Sequence, residues 1–361
     1  LGHVRSGARS LVLTYAVYAW DLSVRCAHLD RSHGFFNGTQ VFLSVEGREE
    51  QPHRVQILAP ADPELADWTV ATALPEAKGE GGAKRCGFGW YEAANYDELI
   101  DHPVEMGRLA RFEFLVRGVP HEFAINGVHD CDLDRLKTDL ERVCTQHNAL
   151  FGDQPPPFAR YVFLTTVVGE GHGGLEHRAS TALLASRRAL PWRGMKSAGD
   201  DYVGFLGLCS HEYFHSWNVK RIKPAAFVPY DLAQENYTRL LWLFEGFTSY
   251  YDDLALVRSG LIDMATYLKL LAKTFSAVRR GVGRQIQSLA ESSFDAWIKY
   301  YRQDENSPNA IVSYYAKGAL AALAFDLALR EKSAGKRSLD DVMRYLWAHY
   351  GDGTTGVGED E

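Results

Sequence analysis

The segment His211-Glu212-Tyr213-Phe214-His215 constrains this chain more than any other. Phe205-Leu206-Gly207-Leu208 precedes it, so the helix that carries it reads as apolar and buried. Histidines at i and i+4 lie one turn apart on one helix face, and both imidazoles can reach a single ion. Burying two imidazoles and a carboxylate together is strongly unfavourable unless something compensates their polarity. Zinc suits the spacing, because imidazole nitrogens match its ligand preference. Glu212 points about 100° round the helix from His211. That places it beside an open coordination position, where it can accept a proton from an attacking water.

A third ligand is therefore expected in another helix. Leu240-Leu241-Trp242-Leu243-Phe244-Glu245-Gly246-Phe247 holds one carboxylate in an otherwise apolar run. An unpaired glutamate there would be costly, and coordination to a dication removes the cost. His211, His215 and Glu245 form the two-histidine, one-carboxylate set that catalytic zinc sites use, with a fourth position left open. One Zn²⁺ per chain is the expectation.

Composition excludes several other classes. The balance of 39 basic against 46 acidic residues gives a net charge of −7 and no basic stripe, which argues against a nucleic-acid partner. The longest apolar stretches, 11–20 and 318–325, fall short of the ~20 residues that span a bilayer, so no membrane span and a soluble protein are expected. Five scattered cysteines without C-x-x-C spacing point to neither a disulfide framework nor a thiolate site.

The first ~125 residues read as strands, at 11–20, 41–45, 53–58, 68–72 and 111–116, with a loop over 74–89. Helical spacing begins with Leu133, Leu136, Leu140 and Val143 behind Asp130 or Asp132 as cap. A strand at 160–168, a glycine-rich turn and a second strand near 180–184 follow. Helices are then expected over 203–219, 237–258, 263–278, 309–330 and 339–350, the last capped by Ser338 and Asp341. The chain is thus α+β: an all-β domain over 1–128, a catalytic domain over 129–260, and a helical C-terminal portion over 261–361.

Together these residues resemble the glycyl aminopeptidase family, thermolysin-like gluzincin peptidases that carry a PDZ domain. The likeness runs through His211 to Arg221, through Glu235 to Tyr251 and back into Tyr18 to Phe36. The 29 residues between His215 and Glu245 exceed the aminopeptidase N spacing and match this family. The resemblance implies a thermolysin-like zinc domain and release of small N-terminal residues, Gly or Ala, from peptides with a free N-terminus. It implies that Glu176, in Gly173-Gly174-Leu175-Glu176-His177, binds the substrate's α-amino group. That segment differs from the family's Gly-x-Met-Glu-Asn at Leu175 and His177. It also implies that Tyr315, in Tyr315-Ala316-Lys317-Gly318 and adjacent to Tyr314, donates to the oxyanion. On this reading the chain lacks the start of its β domain and the PDZ domain. A cytoplasmic enzyme is expected, with a periplasmic or secreted one open because the chain begins at Leu1.

Lys220, Arg221 and Lys223 read as a solvated face, and His172 and His177 as groups behind the ligands or on the substrate side. Gly169-Glu170-Gly171-His172-Gly173-Gly174 fits a dinucleotide turn, but no helix opens after it and the acidic residue ~20 positions on is missing. The alternatives are a zinc endopeptidase of the same fold and a non-catalytic peptide-binding module with a structural metal. A structural site would use four protein ligands.

Overall fold

The computed structural model describes residues 10–360, so the first nine residues of the expected β domain lie outside the described residues. In chain order the N-terminal part holds β1 (Ala27–Leu29), β2 (His33–Phe36), α1 (Gly38–Val41), β3 (His53–Ile57), β4 (Thr69–Ala71), β5 (Gly89–Ala93), α2 (Tyr96–Ile100) and β6 (Val104–Gly107). An antiparallel sheet runs β1-β2-β6-β4, and β3 pairs with β5 beside it. Val70, Tyr91, Leu99, Ile100 and Val104 form the core of this part.

Next come β7 (Ala110–Val116), β8 (Val119–Asn126), α3 (Leu133–Leu150), β9 (Tyr161–Val168), β10 (His172–Glu176) and β11 (Ser180–Ser186). β7 and β8 form a hairpin whose two turn residues, Arg117 and Gly118, both have positive φ, as a type I′ turn requires. The five-stranded sheet runs β10-β11-β9-β8-β7, with β9 parallel to both β8 and β11. β9 is buried along nearly its whole length because both sheet faces are covered. Phe123 and Phe163 face helical residues such as Leu136, Leu140 and Leu206; Ala124, Val162 and Leu164 face Phe35 and Ala71 of the N-terminal part.

The helical remainder holds α4 (Asp200–Phe214), α5 (Leu241–Arg258), α6 (Met264–Arg280), α7 (Gly283–Ile286), α8 (Leu289–Phe294), α9 (Ser307–Ala310), α10 (Tyr314–Lys332) and α11 (Leu339–Tyr350). Ser338 and Asp341 cap α11 reciprocally, as expected. The stretch Ser307–Lys332, of 26 residues with an 18-residue window of mean hydropathy 1.2, is long and apolar enough by composition alone to cross a membrane. Here Ala319, Ala322 and Leu323 pack into the core with Phe244, Phe247 and Tyr250 of α5.

Several expectations change. Residues 11–20 form no strand; apart from a bridge between Trp20 and His28 the segment is unpaired, and Val12 and Tyr18 are 87% and 84% exposed. Residues 41–45 form no strand either, because Asn37 caps α1 and takes Val41 into a helical turn. The glycine-rich turn contains β10. Its glycines need no special φ, and pairing with β11 keeps Gly173 and Gly174 extended. The division expected at 128/129 falls within the second sheet's part of the chain: the sheets change between Gly107 and Ala110, and β7–β8 hydrogen-bond into β9.

Candidate metal centre

α4 crosses the five-stranded sheet with Tyr202, Phe205, Leu206, Cys209 and Tyr213 turned into the core. Asp200 and Asp201 occupy its first turn, where negative charge complements the helix dipole. The Tyr213 hydroxyl lies 2.9 Å from His121 Nε2, and His121 Nδ1 donates to the Val119 carbonyl over 3.0 Å. Burial pushes the His121 imidazole down to about 4, so it stays neutral and fixes this face of the helix.

His211 and His215 face away from that core, toward α5. His211 Nε2 lies 3.3 Å and His215 Nε2 3.2 Å from the same Glu245 oxygen, Oε2. Ligand atoms of all three lie within 4.8 Å of one another. The other nitrogens are engaged: His211 Nδ1 lies 3.0 Å from Asp252 Oδ2, and His215 Nδ1 donates to the Asn218 carbonyl over 2.7 Å. The Asn218 side chain donates to Phe244 O and Thr248 Oγ1, which ties the end of the motif to α5. Both Nε2 atoms are thereby aimed at a common point, the usual arrangement behind metal-ligating histidines. Burial would drive both imidazoles neutral, yet Asp252 and Glu245 carry His211 upward and Glu245 carries His215 upward. Burial would raise Glu245, but His215 and His211 hold it far below the usual carboxylate range. The residues fit a small dication, because the trio is built for positive charge and offers two nitrogens and one oxygen.

Sequence reasoning missed Asp252. It stands seven residues, about two turns, after Glu245 and so on the same helix face. That spacing was the available signal.

Glu212 turns toward the edge strand. A Cβ on Gly174 would collide with its carboxylate, so β10 approaches this group at a residue without a side chain. Its Oε2 is buried without a hydrogen-bond partner, and burial pushes the carboxyl up to about 7. Glu176, at the end of β10, brings its carboxylate within 4.8 Å of the ligand atoms of Glu212 and His215. It has no ion-pair partner among the described residues. Arg178 pairs with Asp97 and Asp101 instead.

Tyr315 follows the cap Ser313 in the first turn of α10. Its ring centroid lies 6.2 Å from that of His211 and its hydroxyl 3.0 Å from the Tyr301 hydroxyl. Burial and Glu245 raise its hydroxyl well above the usual phenol range, so it remains a donor. Tyr315 lines the cleft with His211, His215 and Glu245; Tyr314 is 1% exposed and packs inward. Tyr301 was not anticipated, because an exposed loop tyrosine carries no distinguishing pattern. The cleft encloses about 1320 Å³ and also receives Arg25 from the N-terminal part.

Two expectations on charge need correction. Lys220 is no solvated residue; its Nζ lies 2.8 Å from buried Asp101. Arg221 donates to the carbonyls of Arg178, Ser216 and Pro157. The partners come from distant segments, which local charge patterning cannot register. His172 lines the cleft, whereas His177 is buried 3.4 Å from Asp101.

The fold is shared with an M1 zinc metallopeptidase from Deinococcus radiodurans (TM-score 0.57, 15% identity, 94% of this chain and 67% of that one). A mutant of that enzyme bound to Tyr-Ser-Ala aligns equally well (TM-score 0.57, 14% identity, 95% and 68% coverage). Nearer in sequence is an aminopeptidase N family protein from Idiomarina loihiensis, with TM-score 0.91 and 50% identity over 95% of this chain. This chain spans 57% of the length of that structure. No curated protein gave a match. The profile of M61 glycyl aminopeptidases matches residues 204–321, and that of the M61 peptidase N-terminal domain matches residues 3–108. The chain belongs to the M61 glycyl aminopeptidase family.

Proposed function

We propose that this chain carries the catalytic centre of a zinc aminopeptidase that removes small N-terminal residues, Gly or Ala, from peptides. One observation carries the reading. The imidazoles of His211 and His215 converge on Glu245 with two further carboxylates, Glu212 and Glu176, beside them. His211, His215 and Glu245 would hold one zinc ion, with Asp252 and the Asn218 carbonyl orienting the imidazoles. Zinc bound there supplies a Lewis acid that polarises the scissile carbonyl and acidifies water.

The chain's own groups account for the rest. Glu212 accepts the proton of the attacking water and returns it to the amine nitrogen as the C–N bond breaks. Its buried, unpartnered Oε2 suits that exchange. The Tyr315 hydroxyl donates to the oxyanion as charge develops. Glu176 pairs with the substrate's ammonium, and the edge strand β10 aligns the peptide as an added strand. With the amine held that close, one residue fits before the scissile bond. The preference for Gly follows the family's description, and Ala is the next smallest side chain. The same reading divides the chain near residue 108, where the family's N-terminal domain ends.

The test is cleavage of free and N-acetylated Gly- and Ala-peptides, with metal content measured alongside. Free-amine peptides should be cut and acetylated ones should be poor substrates. Equal rates on both would make the centre that of an endopeptidase.

A further inference from the structure

α4 carries two glycines in its middle, Gly204 and Gly207, each less favourable in a helix than alanine by about 1 kcal/mol. Elsewhere a helical glycine has a packing reason: Gly246 of α5 and Gly318 of α10 touch backbone to backbone. Gly204 and Gly207 have none. A Cβ added at Gly204 would meet nothing within 4 Å, and one at Gly207 would meet only Asp253 Oδ1, at an ordinary 3.7 Å. The space they leave belongs to the cleft, which both line together with Leu208 and His211. These four residues, at i, i+3, i+4 and i+7, share one helix face.

β10 gives this space a direction. Glu176, at one end, stands by Glu212 and His215; His172, at the other end, lines a hollow with Gly204. A peptide held by its amine at Glu176, with its first carbonyl at the ligands, continues over Gly207 toward Gly204.

Asp253 of α5 faces that path. Its neighbour Asp252 is bound to His211, whereas the Asp253 carboxylate has no ion pair and accepts no hydrogen bond among the described residues. The nearby lysines of α6, Lys269 and Lys273, turn to Asp200 instead, at 3.0 and 3.7 Å. Burial and then Asp252 push the Asp253 carboxyl up to about 8, with His211 and Lys273 opposing. Leu208, Leu270 and Thr274 supply walls for an aliphatic stem.

We propose that the arm of the cleft over Gly204 and Gly207 receives the residue after the scissile bond, and that Asp253 gives this subsite a preference for a lysine or arginine side chain. The proposal rests on the aminopeptidase reading given above. It adds a second position of selection, so that peptides beginning Gly-Lys or Gly-Arg are the best substrates.

The experiment uses the zinc-loaded full chain and the peptides Gly-Lys-Ala, Gly-Leu-Ala and Gly-Glu-Ala, which share one amino end. The value of kcat/KM should fall in that order, with roughly tenfold or more between Lys and Glu. Asp253→Asn should bring the Lys-to-Glu ratio close to one. Gly204→Leu, which narrows the arm without touching Asp253, should slow Gly-Lys-Ala and Gly-Leu-Ala more than Gly-Gly-Ala. Calorimetric binding of the same peptides to the Glu212→Gln protein should give the same order of Kd. A Lys-to-Glu ratio near one in the wild type, or one unchanged by Asp253→Asn, overturns the subsite while leaving the aminopeptidase standing. If no free-amine peptide is bound or cut, the aminopeptidase reading fails and the subsite falls with it.

Discussion

The contact between α5 and α10 allows a sharp test of how the site is assembled. A Cβ built on Gly246 would lie 2.5 Å from Gly318 Cα, and one on Gly318 would lie 2.6 Å from the Trp242 carbonyl oxygen. Ordinary contact begins near 3.4 Å, so Gly246→Ala requires the helices to part by about 1 Å. No flexible side chain stands in between to absorb the change. Overpacking of this kind costs about 1–3 kcal/mol, and alanine's better helix propensity returns about 1 kcal/mol. A net loss of up to about 2 kcal/mol is therefore expected. The effect on turnover should be larger than that loss implies. Gly246 follows Glu245, and Gly318 lies one turn after Tyr315, so parting the helices shifts carboxylate and hydroxyl relative to His211. A misplacement of about 1 Å at reacting groups costs on the order of 10²-fold.

The measurement is a urea unfolding curve together with zinc content and kcat for Gly246→Ala and Gly318→Ala. Gly204→Ala, in open space on α4, serves as the control for stability alone and should gain about 0.5–1 kcal/mol. If Gly246→Ala matched the wild type in stability and kept kcat within about twofold, the close crossing would not be what sets the site.

Four further outcomes are expected. His211→Ala and Glu245→Ala should each lose the single zinc in metal analysis; stoichiometric zinc retained in both would remove them as ligands. Glu212→Gln should keep zinc yet lose about 10²–10⁴-fold in kcat, because an amide accepts no proton. Tyr315→Phe should lower kcat by about 2.7–4 kcal/mol of barrier with little change in KM. Tyr314→Phe should act on stability instead, and the opposite pattern would put the donor at Tyr314. His102 and His121 are buried with pKa values pushed down to about 4, below the ordinary 6.5 of the unfolded chain. Between those values the unfolded chain binds protons the folded one refuses, so stability should fall from pH 6.5 toward 4, by up to about 3 kcal/mol for each. Urea midpoints unchanged across that window would contradict it.

The meeting of His211, His215 and Glu245 was legible in the sequence because each of its signals is local. Two histidines share a helix face by spacing, and Glu245 stands out as one acid in an apolar run. Tyr315 and Glu176 were reached through family likeness, since neither carries a pattern of its own. What the sequence concealed depends on partners far along the chain. β8 hides behind Pro120 and the polar His121 and Glu122, which become tolerable only because Glu122 meets Arg85 and Arg111 and His121 meets Tyr213. β10 reads as a turn until β11 supplies its hydrogen bonds. Gly246 and Gly318 read as motif letters, and their purpose appears only when the two helices cross.

The N-terminal part holds the segment after Glu176 through Asp101. This buried carboxylate takes Lys220 at 2.8 Å and the Arg178 amide at 2.9 Å, with His177 at 3.4 Å. Burial would raise it, but Lys220, with His177 and Arg178 in support, holds it well below the usual carboxylate range. Two of its partners are the residues that follow Glu176, and Arg221 grips the Arg178 carbonyl from the other side. Asp101 is therefore a positioning residue for the carboxylate assigned to the substrate's amine. Asp101→Asn removes the charge and leaves Lys220 buried without an anion, a change that costs about 3–5 kcal/mol where a buried pair is broken. Pairing it with Lys220→Met removes the stranded cation and should restore much of the stability. It should not restore the hold on the segment after Glu176. The double variant is thus expected to fold, bind zinc and keep kcat, while KM for Gly-peptides rises by roughly tenfold, less than the full charge-assisted contact is worth. If the double variant kept the wild-type KM, the clamp would serve stability alone, and Glu176 would owe its place to β10.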